Sequence, residues 1–167
     1  MRRLGVILLM SLAVILQVSF LPAVRVFGVV PNIALVLMVL ISMIVVTSEA
    51  LIVAALSGLV LDLASGSNFG LWTGVMVLVA LAVGMMQRAG LELDRIVVAL
   101  VLVAAGTAVI ALVIWTAIFP NVAHWPAAGL TGRLAIELVI NLVLTMLLWS
   151  PVRLLLGGSG PQAEPGG

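Results

Sequence analysis

Seven basic and six acidic residues are spread through 167 positions, and long apolar runs fill the spaces between them. A soluble domain of this size carries roughly a quarter of its residues as charges. Here charged residues are 8% and hydrophobic residues 65%, with a mean hydropathy of +1.44. That leaves too little polar surface to cover a globule in water. Lipid must be the solvent for most of the chain, and the runs have helical length. The expected class is an all-α integral membrane protein.

The charges themselves exclude much chemistry. Every basic residue is an arginine: Arg2, Arg3, Arg25, Arg88, Arg95, Arg133 and Arg153. The acids are Glu49, Asp62, Glu92, Asp94, Glu137 and Glu164. No basic cluster points to nucleic acid. Cysteine and tyrosine are absent and His124 is the only histidine, so neither a disulfide nor a dedicated metal site is expected. No catalytic, cofactor-binding or metal-binding residue is assigned.

The N-terminal run Leu4–Leu21 is uncharged. It exceeds the roughly 7–15 residues of a signal-peptide core, and no A-x-A cleavage site follows. It reads as a retained first membrane helix within run one, Leu4–Val24. Run two follows Pro31-Asn32 and continues to Val46. Run three follows Thr47-Ser48-Glu49 and reaches about Asp62. Run four is Leu71–Met86, run five Ile96–Phe119 and run six Leu134–Leu156. Residues 1–156 form one transmembrane domain, and the Gly- and Pro-rich tail 157–167 is expected to be disordered and cytoplasmic.

Runs two and three are short for a hydrocarbon core about 30 Å thick, and residues 33–62 read alternatively as one tilted helix. Arginine placement separates the models. Six helices with the N-terminus inside put Arg2, Arg3, Arg88, Arg95 and Arg153 on the cytoplasmic side and Arg25 and Arg133 outside. Five helices reverse that bias. The positive-inside rule favours six, with both termini in the cytoplasm. Thr47 or Ser48 then caps run three, with Glu49 at the positive end of its dipole. His124 and Trp125, between two prolines, belong to an outer interfacial segment, and His124 reads as a plain interfacial histidine, with a pH sensor or ligand as the alternative.

Asp62 ends a stripe of small residues, Ala50, Ala54 and Gly58, spaced by four. Such a stripe lets another helix approach closely, so Asp62 points into protein. Three roles stay open for it: a carboxylate touching headgroup water, a structural ion pair or loop-holding group, or a ligand or proton site. Arg133 is the candidate cation, and backbone N–H groups of Ser65 to Asn68 are the alternative donors. Gly66 suits a left-handed helix end. Ser67 or Asn68 suits a cap of run four, and Gly70 and Gly74 form a G-x-x-x-G step at its start. On run six, Arg133, Glu137, Asn141 and Thr145 share one face. That polar stripe packs on another helix, lines a cavity or meets a partner; Arg133 and Glu137 can pair. Gln17 is a lone polar residue of run one that suits a hydrogen bond.

The stretch "GLVLDLASGSNFG", after a Pro-Asn that precedes the second helix, resembles the bacterial rod shape-determining protein MreD family. Gly58, Asp62, Leu63, Ser65, Gly66 and Gly70 match the family's recurring pattern, as does Pro31. Asn32 stands where an Asp is common. The resemblance implies a non-catalytic scaffold of the cell-wall elongation machinery in the bacterial inner membrane. It would contact an MreC-like membrane protein helix to helix and, indirectly, the MreB filament and the RodA/penicillin-binding-protein synthase. The family also resembles the six-helix substrate-binding components of energy-coupling factor transporters. That supplies the alternative function, binding a small molecule between helices. A membrane enzyme would need Asp62, Glu137 and His124 to converge.

Overall fold

The computed structural model describes residues 2–25, 28–65, 70–89, 94–118 and 127–157. Gly66, Ser67, Asn68, His124, Trp125 and the tail 158–167 lie outside the described residues. Six helices of ten or more residues are present among them: α1 (Arg2–Ile15), α2 (Ile33–Ser42), α3 (Thr47–Ser65), α4 (Leu71–Arg88), α5 (Arg95–Ile118) and α6 (Ala127–Leu156). Five are long and apolar enough to cross a membrane, with α1 counted through Ala23. The protein is an all-α, multi-pass membrane protein.

Helix α2 is the exception. Its ten residues rise only about 15 Å, half of a hydrocarbon core. The sequence places run two as far as Val46, but the helix ends at Ser42, and a turn through Met43–Val45 separates it from α3. That turn also removes the single long helix over 33–62. Residues Ala34 to Ser42 are all buried, because α2 is apolar all round and sits inside the ring made by the other helices. Elsewhere the pattern is inverted relative to a soluble protein. Ile7, Leu8, Ile52, Leu56, Leu78, Val101 and Leu147 are exposed as a lipid-facing shell.

The α3–α4 hairpin is the closest helix pair, and small residues explain it. Ala50, Ala54, Gly58 and Asp62 are buried along one face of α3. A Cβ at Gly58 would stand 2.5 Å from Thr73 Cα, so backbone meets backbone there. Farther along the pair, a Cβ on Gly84 of α4 would overlap the Thr47 side chain. Gly74, by contrast, is exposed and a Cβ there would meet nothing. The expected G-x-x-x-G step is therefore not a packing surface; the α4 face turned inward carries Met76, Ala80, Val83 and Gly84.

Both ends of the described chain lie at one end of the bundle. Arg2 and Arg153 border one cavity with Asp94, Arg95 and Ile44. Glu49, in the first turn of α3, pairs with Arg3 at 2.6 Å and Arg2 at 3.7 Å. Gln87 of α4 reaches the C-terminal end of α2. Successive helices thus alternate in direction, and five arginines gather at this end.

Two boundaries differ from the sequence pattern. Helix α3 runs to Ser65, so Asp62 sits in its last turn rather than at its end. Helix α6 starts at Ala127, about two turns before Arg133, and continues through Pro151. Part of the expected surface segment is therefore helical. The apolar run understates α6 because Thr131, Gly132 and Arg133 interrupt hydropathy without interrupting backbone hydrogen bonding.

Candidate functional site

A helix that begins in the interior must satisfy its first N–H groups without water, each orphan costing about 1–3 kcal/mol. At α2 all of them have partners. The Asn32 N–H donates to Asn141 Oδ1 of α6 at 2.9 Å. The Ile33 and Ala34 N–H groups donate to Gln17 Oε1 at 2.9 and 3.4 Å. Leu35 N–H donates to the Asn32 side chain at 3.0 Å and Val36 N–H to the Asn32 carbonyl at 3.1 Å. Asn32 is thus the N-cap of α2, a role Asn fills as readily as Asp.

Each capping group is itself anchored. Gln17 Nε2 donates to the Pro31 carbonyl at 3.1 Å. Gln17 sits in a π-helical turn, Leu16–Phe20, that ends α1 just before a 3-10 turn holding Pro22. Pro22 cannot donate to the Val18 carbonyl, and the helix widens one turn earlier, where the glutamine leaves it. Asn141 Nδ2 donates to Thr107 Oγ1 of α5 at 3.0 Å, and the Thr145 hydroxyl donates back to the Asn141 carbonyl at 2.7 Å. Asn32, Thr107, Asn141 and Thr145 are fully buried. At the other end of α2, Gln87 Nε2 donates to the Ser42 carbonyl at 3.1 Å. Two glutamines from neighbouring helices therefore close both ends of the half-length helix.

Asp62 does for α4 what Gln17 and Asn141 do for α2. Its Oδ1 accepts the Trp72 N–H at 2.8 Å; its Oδ2 accepts the Thr73 N–H at 3.1 Å and the Thr73 hydroxyl at 2.6 Å. The residue before α4, Gly70, has φ 97°, a left-handed conformation that disfavours a Cβ, and supplies no side-chain cap. The cap comes from the preceding helix instead. These donors, Trp72 and Thr73, lie in the first turn of α4; Gly66 to Asn68, expected as alternative donors, lie outside the described residues. The carboxylate has no ion pair with Arg133, which is exposed. Ser65 Oγ donates to the Asp62 carbonyl at 3.1 Å.

The polar stripe of α6 divides along its length. Asn141 and Thr145 belong to the buried layer, and Arg133 lies at the surface. Glu137, between them, is half-buried and makes no ion pair with Arg133. It lines a cavity of about 400 Å³ with Gln17, Asn32, Ser65, Trp72 and Ile110. Among the described residues, Glu137 is the one charged side chain on that wall, and Ser65 shares the lining with it. The polar side chains of the interior hold backbone in place. Sequence reasoning missed Thr107, Thr73 and Gln87. Thr107 beside Gly106 is the sole polar side chain in the first half of run five, and it was the available signal.

The model of the rod shape-determining protein MreD family matches residues 1–157. No curated protein and no solved structure matches the chain.

Proposed function

The chain belongs to the rod shape-determining protein MreD family, and from that premise we propose that it is a non-catalytic scaffold of the bacterial cell-wall elongation machinery. Membership supports a role in determining rod shape. The observation that carries the scaffold reading is how the interior polar groups are used. Asn32, Asp62, Asn141 and Gln17 are all engaged with backbone of the bundle itself. The outward surface is apolar, and it is suited to helix-to-helix contact with an MreC-like membrane protein. Through that partner the chain would connect to the MreB filament and the RodA/penicillin-binding-protein synthase.

The same reading puts the protein in the inner membrane with both termini in the cytoplasm. Its support is the arginine bias: Arg2, Arg3, Arg88, Arg95 and Arg153 belong to the end that carries Arg2 and Gly157, Arg25 and Arg133 to the other. A likeness to substrate-binding components of energy-coupling factor transporters is an expectation from the family alone, and the transporter alternative has no support in the family match.

Two measurements test the proposal. Single cysteines at Ala89 and Ser65 should label from the cytoplasmic and the outer side respectively; the reverse pattern refutes the orientation. Removing residues 158–167 should leave co-purification with the MreC-like partner intact, since contact is within the membrane. Loss of the complex on truncation would show that the tail carries it.

A further inference from the structure

At the end of the bundle that holds both ends of the described chain, arginines from three helices line one cavity of about 460 Å³: Arg2 of α1, Arg95 of α5 and Arg153 of α6. Ile44, Trp149 and Leu156 supply its apolar wall. Asp94 is the acid on the lining, and its Oδ1 already accepts the Ile96 N–H at 3.2 Å. Arg2 has a loose contact with Glu49 at 3.7 Å, but that carboxylate is held more closely by Arg3 at 2.6 Å. Arg95 and Arg153 have no ion pair among the described residues. Among the described residues, three arginines therefore line one space with one engaged carboxylate, that of Asp94.

Cations concentrated beside a low-dielectric wall attract an anion strongly. Guanidinium groups are suited to phosphate, which they bind through paired N–H donors. Trp149 sits on the same wall, and tryptophan favours the headgroup level of a bilayer. Beside Arg153, Leu154 and Leu155 are 77% and 72% exposed, an apolar surface continuous with the cationic one. A free anion would use only the arginines. A molecule with a phosphate head and acyl tails would use both surfaces.

We propose that this cavity is a binding site for the phosphate headgroup of an anionic phospholipid. The bound lipid ties together α1, α5, α6 and the turn after α2, which Ile44 belongs to. The inference is independent of which partner the scaffold contacts.

The test compares the full chain in nanodiscs of phosphatidylcholine alone and of phosphatidylcholine with phosphatidylglycerol. Lipid retained after mild detergent extraction is counted by native mass spectrometry. The wild-type chain should retain phosphatidylglycerol in about tenfold preference over phosphatidylcholine. The double variant Arg95→Gln/Arg153→Gln should lose that preference, while Arg133→Gln, at the opposite end, keeps it. Arg95→Lys/Arg153→Lys should keep part of it. Equal retention of the two lipids by the wild-type chain overturns the proposal whatever the variants do. So does an unchanged preference in the double glutamine variant. Inorganic phosphate alone is the second arm: if it displaces phosphatidylglycerol at millimolar concentration, the site is for a soluble phosphate and the lipid assignment is wrong.

Discussion

Asn141 accepts a hydrogen bond from the backbone N–H of Asn32 across 109 positions of sequence, at 2.9 Å. That bond fixes α6 against the start of α2 at about mid-depth of the membrane. It lies about 18 Å of helical rise from Arg153, as Thr107 lies about 18 Å from Arg95. Non-helical backbone at such depth is tolerated only when enclosed in protein. Val29, Pro31 and Asn32 are indeed buried. The Asn141 amide supplies one partner each to Asn32 and Thr107.

Asn141→Leu should therefore destabilise the protein by about 1–3 kcal/mol, because the Asn32 N–H stays buried without a partner. Thr107→Val removes a donor–acceptor from the other side of the same amide and should cost less, about 0.5–1.5 kcal/mol. The two losses should not add, since both substitutions break the Asn141–Thr107 bond. Reversible unfolding in detergent measures the cycle. Strict additivity would mean that Asn141 and Thr107 do not act together.

The cap of α4 predicts a different hierarchy. Asp62→Asn leaves one acceptor oxygen where three donors from Trp72 and Thr73 converge, and its amide adds donors against them. A loss of about 1–3 kcal/mol is expected. Thr73→Val removes only the hydroxyl and should cost less. Arg133→Gln should leave stability unchanged, because no ion pair joins it to Asp62. Unfolding midpoints of the three variants decide the order; an Arg133 effect as large as that of Asp62 would restore the ion pair in its place.

The charge at the exposed end behaves as surface charge does. Arg3→Ala breaks the 2.6 Å contact to Glu49, yet Arg2 is nearby and water competes. The expected loss is at most about 1 kcal/mol, smaller still at high salt. The same unfolding assay at low and high salt checks it, and a loss that salt does not reduce would contradict a screened surface pair.

What the sequence made legible follows from local chemistry. Length and hydropathy of the runs gave six helices because the helical backbone hydrogen-bonds within itself. The small stripe of α3 was readable from spacing alone, and it does turn Asp62 inward. Asn141 and Thr145 were recognisable as buried because a polar stripe on a membrane helix avoids lipid. The half length of α2 was not legible. Met43–Val46 is as apolar as the helix before it, so hydropathy carries no stop signal, and the carbonyl that Gln87 caps there is met only in the folded bundle. The donors to Asp62 were also hidden: the Trp72 and Thr73 N–H groups and the Thr73 hydroxyl are brought to it by a neighbouring helix start, and no spacing in the sequence announces them.

Two glycines four residues or more from any charge give the last prediction, because they look alike in sequence and differ in space. Gly58 meets the backbone of Thr73, which cannot rotate away as a side chain could; its added Cβ would lie 2.5 Å from Thr73 Cα and 2.8 Å from Thr73 N. Gly58→Ala must open the α3–α4 hairpin, and opening it also pulls Asp62 from the Trp72 and Thr73 N–H groups one turn away. Overpacking of this kind costs about 1–3 kcal/mol before the cap is counted. Gly74→Ala adds a methyl to open space on the outer face of α4. It should be neutral or stabilise by up to about 1 kcal/mol through helix propensity. Unfolding midpoints of the two variants should therefore move in opposite directions or only the first should move. Equal destabilisation by both would mean that the outer face of α4 is packed against something the bundle alone does not supply.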